Sequence, residues 1–427
     1  MSRESVTAVT VDGRCRSRVI MYTPEPAGGM AYYVSELVVA LAQAGVRVVL
    51  LAPANFQHNA KVCAAGAELV HAPCRKTSKA GLSERLLRNV RFAAETARVL
   101  FRLVRRGDIV HLQDTFNLPL GLVFFLLPIL RGGSVVFTAH DPLPHRWHFP
   151  RGFLWLERRI LQLSCQLSDG IIVHNNSGKD VLVRKLSQPA NRIFVIPHGA
   201  YSNAADGNQP YPRFDCLRLL AFGAIRENKG LHLAIRAVQI AASVSPVPIR
   251  LTIAGGLANA AEEPYWRACK QLISARPEGI EVIERHIADE EIGPLLARHH
   301  AVLLPYTEFF AESGVANLAL SHQRPIIAST AGGLGNLIDQ GQCGIPIAAP
   351  SAEAVACAIA KAVQAGPERL HKMGIAGGEF IRKTRSWNSI ARQTAQVYSQ
   401  LGKLHVQGGT PQAVFLTADK NPQGLKS

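Results

Sequence analysis

The chain has 427 residues, too many for one compact core, and its 48% hydrophobic residues, spread along the whole length, exclude a wholly disordered protein. Lysine and arginine outnumber aspartate and glutamate by 47 to 31, and a formal charge of +16 must attract something anionic. Aromatic residues make up only 7% and no zinc-finger, RNP or helix-turn-helix spacing occurs, so nucleic acid ranks below an anionic membrane surface or a phosphorylated substrate as the partner.

The N-terminus, Met1 to Arg18, carries charges but no apolar segment, which predicts the absence of a signal peptide. Eight cysteines are dispersed with no CxxC pair, so reduced thiols in a cytoplasm fit better than a zinc site or a disulfide framework. From residue 18 onward, short β-branched runs alternate with longer helical stretches, the pattern of a doubly wound parallel α/β sheet. Strands are predicted at 18–22, 47–51, 108–112, 134–138, 170–174 and 193–196. A helix over 31–44 follows the first of them.

Between Leu82 and Arg106 the side chains sort into two faces at helical spacing. Leu86, Val90, Ala94, Ala97, Phe101 and Val104 form the apolar face, predicted to pack. Arg88, Arg91, Glu95, Arg98, Arg102 and Arg105 form a basic stripe, readable either as a solvated surface or as a face resting on anionic lipid. The longest apolar run, Leu118 to Leu130, falls short of the roughly 20 residues that span a bilayer and reads first as a buried helix, with a segment dipping into the membrane interface as the competing reading.

A polar stretch over 201–214 breaks the periodicity and reads as a linker. The alternation then restarts, with strands at 217–222, 249–254, 280–283, 301–304 and 325–328 and helices over 231–243 and 352–363. Two α/β units are the simpler account: residues 1–200, a linker over 201–216, and residues 217–378. A helix over 379–404 is predicted to return to the first unit, and a mobile tail to occupy 405–427.

Three loops could carry chemistry, each just beyond a strand, where doubly wound sheets bind ligands. Gly28-Gly29 precedes a helix, and paired glycines there let backbone N–H groups approach a phosphate. Gly223, Arg226, Lys229 and Gly230 follow the first strand of the second unit, two cations and two glycines suited to a diphosphate. In the third loop, Ser313-Gly314-Val315 can present consecutive N–H groups at a helix start, while Glu308 or Glu312 can accept from sugar hydroxyls. His140, after a strand and before Asp141, would face a cleft. Pro142 and Pro144 break the spacing that would align His140, Asp141, His145 and His148 as metal ligands. There is no GxSxG elbow, HExxH or Walker loop.

In this order and spacing the signals resemble the family 4 retaining glycosyltransferases of GT-B fold, from about Val19 to the Trp387-Asn388-Ser389 segment. They include Thr138-Ala139-His140-Asp141, Ile196-Pro197-His198-Gly199, Ala254-Gly255-Gly256 and Arg324-Pro325 running to Gly332-Gly333. The resemblance implies two Rossmann-like domains facing across a cleft, with the acceptor on the first and a UDP or GDP sugar on the second. It also implies Arg226 and Lys229 beside the diphosphate, His140 near the reacting carbon, Gly28 and Gly29 orienting donor or acceptor, and no required metal. The absence of a DxD motif agrees. The family's two glutamates eight positions apart fall here on Phe310 and Leu318, and its arginine after the glycine of the second motif falls on Ala224, as in a subgroup with a Ser-Gly-Val loop.

The expected activity is sugar transfer to a lipid-linked or otherwise membrane-associated glycan acceptor, in polysaccharide or envelope assembly. The expected place is a bacterial cytoplasm, peripheral on the inner face of the membrane. The alternatives are a nucleotide-sugar epimerase on the same fold, or a non-catalytic protein that binds a nucleotide-sugar or a partner.

Overall fold

The strands are nearly all apolar on both faces because helices cover both faces of each sheet. The computed structural model describes residues 18–74, 82–113, 119–144, 147, 151–201, 211–307, 309 and 312–401. The first domain comprises β1 (Val19–Tyr22), α1 (Gly29–Gln43), β2 (Val48–Pro53), α2 (Asn59–Ala64), β3 (Glu68–Ala72), α3 (Leu82–Leu103) and β4 (Ile109–Leu112). It continues through α4 (Leu122–Leu130), β5 (Ser134–Thr138), α5 (Leu154–Gln166), β6 (Gly170–Val173), α6 (Asn176–Leu186) and β7 (Ile193–Val195). The second comprises β8 (Leu217–Phe222), α7 (Leu231–Ala242), β9 (Ile249–Ala254), α8 (Glu263–Ala275), β10 (Ile280–Ile283), α9 (Asp289–Ala297) and β11 (Ala301–Leu304). α10 (Gly314–Ser321), β12 (Ile326–Ser329), α11 (Leu334–Gly341), β13 (Gly344–Ile347) and α12 (Ala352–Thr384) follow, and α13 (Trp387–Gln400) ends the described chain.

Seven strands form one parallel sheet in the order β3-β2-β1-β4-β5-β6-β7, and six form the other in the order β10-β9-β8-β11-β12-β13. Both orders reverse direction beside the first strand of the domain, so the ligand-binding crevice is expected at the carboxyl ends of β1 and β8. Two separate Rossmann-like units, as the sequence predicts, are what the chain builds. On one face of the first sheet α1 packs with α13, and on the other α3, α4, α5 and α6 share a core with Ile20, Val49 and Val110.

The chain returns to the first domain after α12, whose end at Thr384 lies beyond the residue 378 boundary read from the sequence. Ser386 caps α13, its Oγ accepting from Ser389 N at 3.3 Å. α13 then buries Ile390, Val397 and Tyr398, and Tyr398 OH meets His111 Nδ1 at 2.7 Å on the central strand β4. The segment 405–427 lies outside the described residues.

Three expectations need correction. The edge strands β3 and β13 were not predicted: β3 is partly exposed and β13 carries Pro346, which an edge strand tolerates because one side needs no partner. The run ending at Leu130 does not form a wholly buried helix. α4 buries Phe124, Phe125 and Pro128 but leaves Val123, Leu126, Ile129 and Leu130 exposed. α3 packs through Ala93, Thr96, Leu100 and Val104, while Leu86, Val90 and Phe101, expected inside, face outward. Positions 93, 96, 100 and 104 also step by three and four, and the small Ala93 and Thr96 let the helix approach the sheet closely.

The crossing between domains is sterically tight at Gly199, where a Cβ would lie 2.5 Å from the Trp387 ring, whose Nε1 donates to Ala200 O at 2.6 Å. Gly199→Ala is therefore expected to destabilise by roughly 1–3 kcal/mol and lower the thermal midpoint. Gly152→Ala, with open space at its Cβ, should leave the midpoint unchanged, and differential scanning calorimetry of both variants checks the contrast.

Candidate active site

At the carboxyl end of β8 the backbone turns at Gly223 with a φ of 99°, a conformation that favours glycine. A Cβ there would lie 2.8 Å from Lys229 Nζ and 3.3 Å from Val315, so the turn, the lysine and the start of α10 are packed together. Gly255 approaches from β9, its missing Cβ aimed at Gly223 O only 2.1 Å away. Gly230, with φ 65°, faces Pro305 O at the same separation, and Thr307 N donates to Asn228 O at 3.0 Å. Loops following β8, β9 and β11 thus close on one another through bare backbone.

Lys229 and Arg226 sit together in this cradle, and neither forms an ion pair among the described residues. Burial, reinforced by the neighbouring Arg226 charge, pulls Lys229 down to about 7. Ser313 caps α10, its Oγ accepting from Ala316 N at 3.2 Å and lying 3.3 Å from Tyr306 OH, which directs the first turn of Gly314 and Val315 toward the same cradle. Two cations without a counter-ion beside a helix N-terminus make a site for an anion.

The first domain supplies the opposite wall. Gly28 caps α1 with a φ of 84°, and a Cβ on Gly28 or Gly29 would meet nothing within 4 Å, so the turn opens to space. Tyr32, in the first turn of α1, stacks on Tyr201 at 4.7 Å between ring centres, and Tyr201 OH lies 3.0 Å from the Cβ position of Gly314. The Gly28-Gly29 turn and the start of α10 therefore flank a single tyrosine pair.

His140 follows β5, and Tyr33 of α1 meets its ring edge-on at 4.7 Å. His174 Nδ1 lies 2.9 Å from Ile196 O, which can only accept, so that nitrogen carries the proton. A neutral His174 then offers its Nε2 lone pair to His140 Nδ1 at 2.9 Å, which places the His140 proton on Nδ1. Gln113 Oε1 faces His140 Nε2 at 3.0 Å while the Gln113 amide nitrogen donates to Met21 Sδ at 2.8 Å, so a neutral His140 with its proton on Nδ1 requires that side-chain amide turned end for end. Burial and the adjacent His174 and His198 hold His140 well below the usual histidine range, so this uncharged arrangement persists at neutral pH. Both ring nitrogens are engaged by protein partners.

Glu312 departs from its expected role. Its carboxylate pairs with Arg385 and accepts from His198 N at 2.8 Å and Asn317 Nδ2 at 3.4 Å, while Arg385 Nη1 donates to Asn317 Oδ1 at 3.0 Å. Its side chain is buried and ties the domain crossing to the third loop, with both oxygens already engaged by protein groups. Glu308 and Phe310 lie outside the described residues. Leu318 is buried in the core with Leu304 and Ile326. Arg91, Arg98, Arg102 and Arg105 are exposed and Arg88 is half-buried. Among the described residues no group of three His, Cys, Asp or Glu side chains could hold a metal ion.

Sequence reasoning overlooked Arg385, His174, Gln113 and Tyr201. Arg385 lies more than 70 residues from Glu312, and no local spacing announces that pair.

Comparison with known proteins shows the family and the fold. A model described as Glycosyltransferase Family 4 matches residues 27–201 and one described as Glycosyl transferases group 1 matches residues 216–365; together they take in both domains, and the chain belongs to these glycosyltransferases. Among curated relatives, the alpha-maltose-1-phosphate synthase of Mycolicibacterium smegmatis is 24% identical over 409 residues, covering 89% of this chain and 97% of the relative. The MMP alpha-(1->4)-mannosyltransferase of Mycolicibacterium hassiacum is 25% identical over 327 residues, covering 72% and 74% respectively. The sucrose-phosphate synthase of Thermosynechococcus elongatus superposes with a TM-score of 0.69 at 19% identity, over 91% of this chain and 99% of that one. Anabaena HepE in complex with UDP-glucose superposes with a TM-score of 0.67 at 14% identity, over 91% and 100%. At such identities the solved structures establish the fold, which is GT-B.

Lys229 supplies a pH signature. Its amine is charged below about 7 and increasingly neutral above, and an anion in the cradle favours the charged form. Affinity for UDP or GDP is therefore expected to fall as pH rises from 7 toward 9, with proton uptake on binding at pH 8. Titration calorimetry in buffers of different ionisation enthalpy measures both, and a Lys229→Met variant should lose the uptake.

Proposed function

We propose that this glycosyltransferase moves a sugar from a UDP or GDP sugar to a hydroxyl of a lipid-linked or otherwise membrane-associated glycan acceptor, with retention at the anomeric carbon and without a required metal. The observation that carries the reading is the cation pair Arg226 and Lys229, held without a counter-ion by the glycine-lined loops at the carboxyl end of β8. A diphosphate supplies the missing charge. The UDP-glucose held by the Anabaena neighbour and the sugar transfer named in the mycobacterial mannosyltransferase support a nucleotide-sugar donor.

In the reaction the bond between the anomeric carbon and the donor phosphate oxygen breaks, and the diphosphate leaves with the electron pair. Negative charge grows where Arg226, Lys229 and the start of α10 stabilise it. The acceptor oxygen bonds to the anomeric carbon and its proton passes to the departing phosphate oxygen, so no protein base is required. That route agrees with a neutral His140 whose ring nitrogens are already engaged, a ring that shapes the sugar pocket through its surface. Closure of the two domains excludes water. The setting is polysaccharide or envelope glycan assembly in the cytoplasm at the inner membrane face.

Purified protein incubated with a panel of nucleotide-sugars and a bacterial lipid extract should release one nucleotide, with the sugar appearing in the lipid fraction. Lys229→Ala should lower turnover by about 10²-fold or more, as loss of a cation on a leaving diphosphate implies. Binding of one nucleotide-sugar without turnover against the whole extract would favour the non-catalytic alternative.

A further inference from the structure

Apolar side chains left in water are not scattered evenly over this molecule. Of the thirteen large hydrophobic residues exposed among those described, eleven lie on α3, on α4, or on α5 and the one-turn helix Arg151–Phe153 that leads into it. These helices are neighbours on one face of the first sheet. Leu130 is 83% exposed, Trp155 63% and Phe101 54%. Phe101 and Leu130 belong to one patch, since the guanidinium of Arg131 lies 4.7 Å over the Phe101 ring. Single exposed hydrophobics need no explanation, but a cluster spanning three adjacent helices marks an interaction surface.

The charge around it is nearly all of one sign. Arg98 precedes Phe101 by three residues and Arg105 follows it by four, and Arg91 stands four after Leu87, so arginines and apolar side chains share the outward flank of α3. Arg102, Arg131, Arg158 and Arg159 are exposed as well, against Glu84 and Glu95, the second of which already pairs with Arg91 at 2.7 Å.

We infer that this three-helix face docks onto an anionic phospholipid bilayer, its apolar side chains entering the acyl boundary and its arginines meeting the headgroups. The inference rests on the membrane-associated acceptor proposed above and names the surface that brings the enzyme to it. A second copy of the chain fits the face poorly, because a symmetric contact sets these arginines against themselves. No helix among the described residues is long and apolar enough to cross a membrane, so the face rests on the bilayer.

The topology directs the docked molecule usefully. In a parallel sheet each crossover helix begins at the carboxyl end of the strand before it, which is the end where the ligand crevice opens. The starts of α3 and α5, with Leu87, Phe153 and Trp155, therefore lie toward the cleft, and the patch runs from its rim down the flank. A lipid-borne acceptor hydroxyl would reach the cleft along the surface that holds the protein.

The test is flotation of the full chain with vesicles of phosphatidylcholine alone or with about one third phosphatidylglycerol. Wild type should float with the anionic vesicles, with a blue shift in tryptophan emission that Trp155→Phe diminishes. High salt should weaken the binding. Phe101→Ser with Leu130→Ser, and separately Arg98→Glu with Arg102→Glu, should each reduce it by roughly tenfold or more. These positions are exposed, so the variants should keep the wild-type melting temperature and affinity for UDP or GDP, separating failure of docking from failure of the transferase reading. Equal flotation with both vesicle types, unchanged binding by the variants, or concentration-dependent dimerisation through this face in place of vesicle binding would overturn the inference.

Discussion

Two positive charges, Arg226 and Lys229, stand side by side at the carboxyl end of β8 with no ion-pair partner among the described residues. Much of the second domain's loop geometry makes that arrangement tolerable. The amine lies over a glycine turn that no other residue could adopt without displacing it, and Gly230 and Gly255 bring two further loops within backbone contact. Desolvation lowers the lysine toward neutrality, which limits the cost of holding the charges together. An arriving diphosphate restores the charge and meets donors already in place, so little reorganisation is left for the moment of transfer.

The first domain answers with a different device. Around Tyr33 stand His140, His174, His198 and Trp387, rings from four separate segments, with ring centres 4.7 to 5.4 Å from the tyrosine. Their polar atoms are paired inward, through Ile196 O, Gln113 and Gly199 O. Glu312 and Arg385 join this assembly to the third loop, and α13 locks it from behind through Trp387 and Tyr398. The crossing between the domains is therefore a dense polar and aromatic node, and both walls of the cleft are attached to it. A carboxylate that looked available for a sugar hydroxyl is spent on keeping that node together.

The alternation of strands and helices was legible because a doubly covered parallel strand must be apolar on both faces, and β5, β8, β9, β10 and β11 were read with their observed bounds. The edge strands β3 and β13 were not, although the other two edges, β7 and β10, were: Glu68 and His71 interrupt the apolar run of β3, and Pro346 that of β13. The glycine and cation motifs of the second domain were readable for a related reason: close backbone approach leaves glycine as almost the sole solution, and the spacing of Gly223, Lys229 and Gly230 is local. α3 shows the opposite case. Its sequence holds two apolar stripes at equally good helical spacing, and only contact with the sheet and α4 decides that Leu100 and Val104 go inside while Phe101 stays out.

By itself the sequence determined two parallel α/β units, the order of their central strands in the chain, and a basic glycine-rich loop suited to a diphosphate. These follow from periodicity, turn chemistry and charge, which act over a few residues. Tertiary structure decided which face of α3 meets solvent, that Glu312 belongs to Arg385, and that both nitrogens of His140 are satisfied by Gln113 and His174. Each of those depends on groups tens of residues apart being brought within about 3 Å, the range over which hydrogen bonds and packing operate, and no local pattern records it.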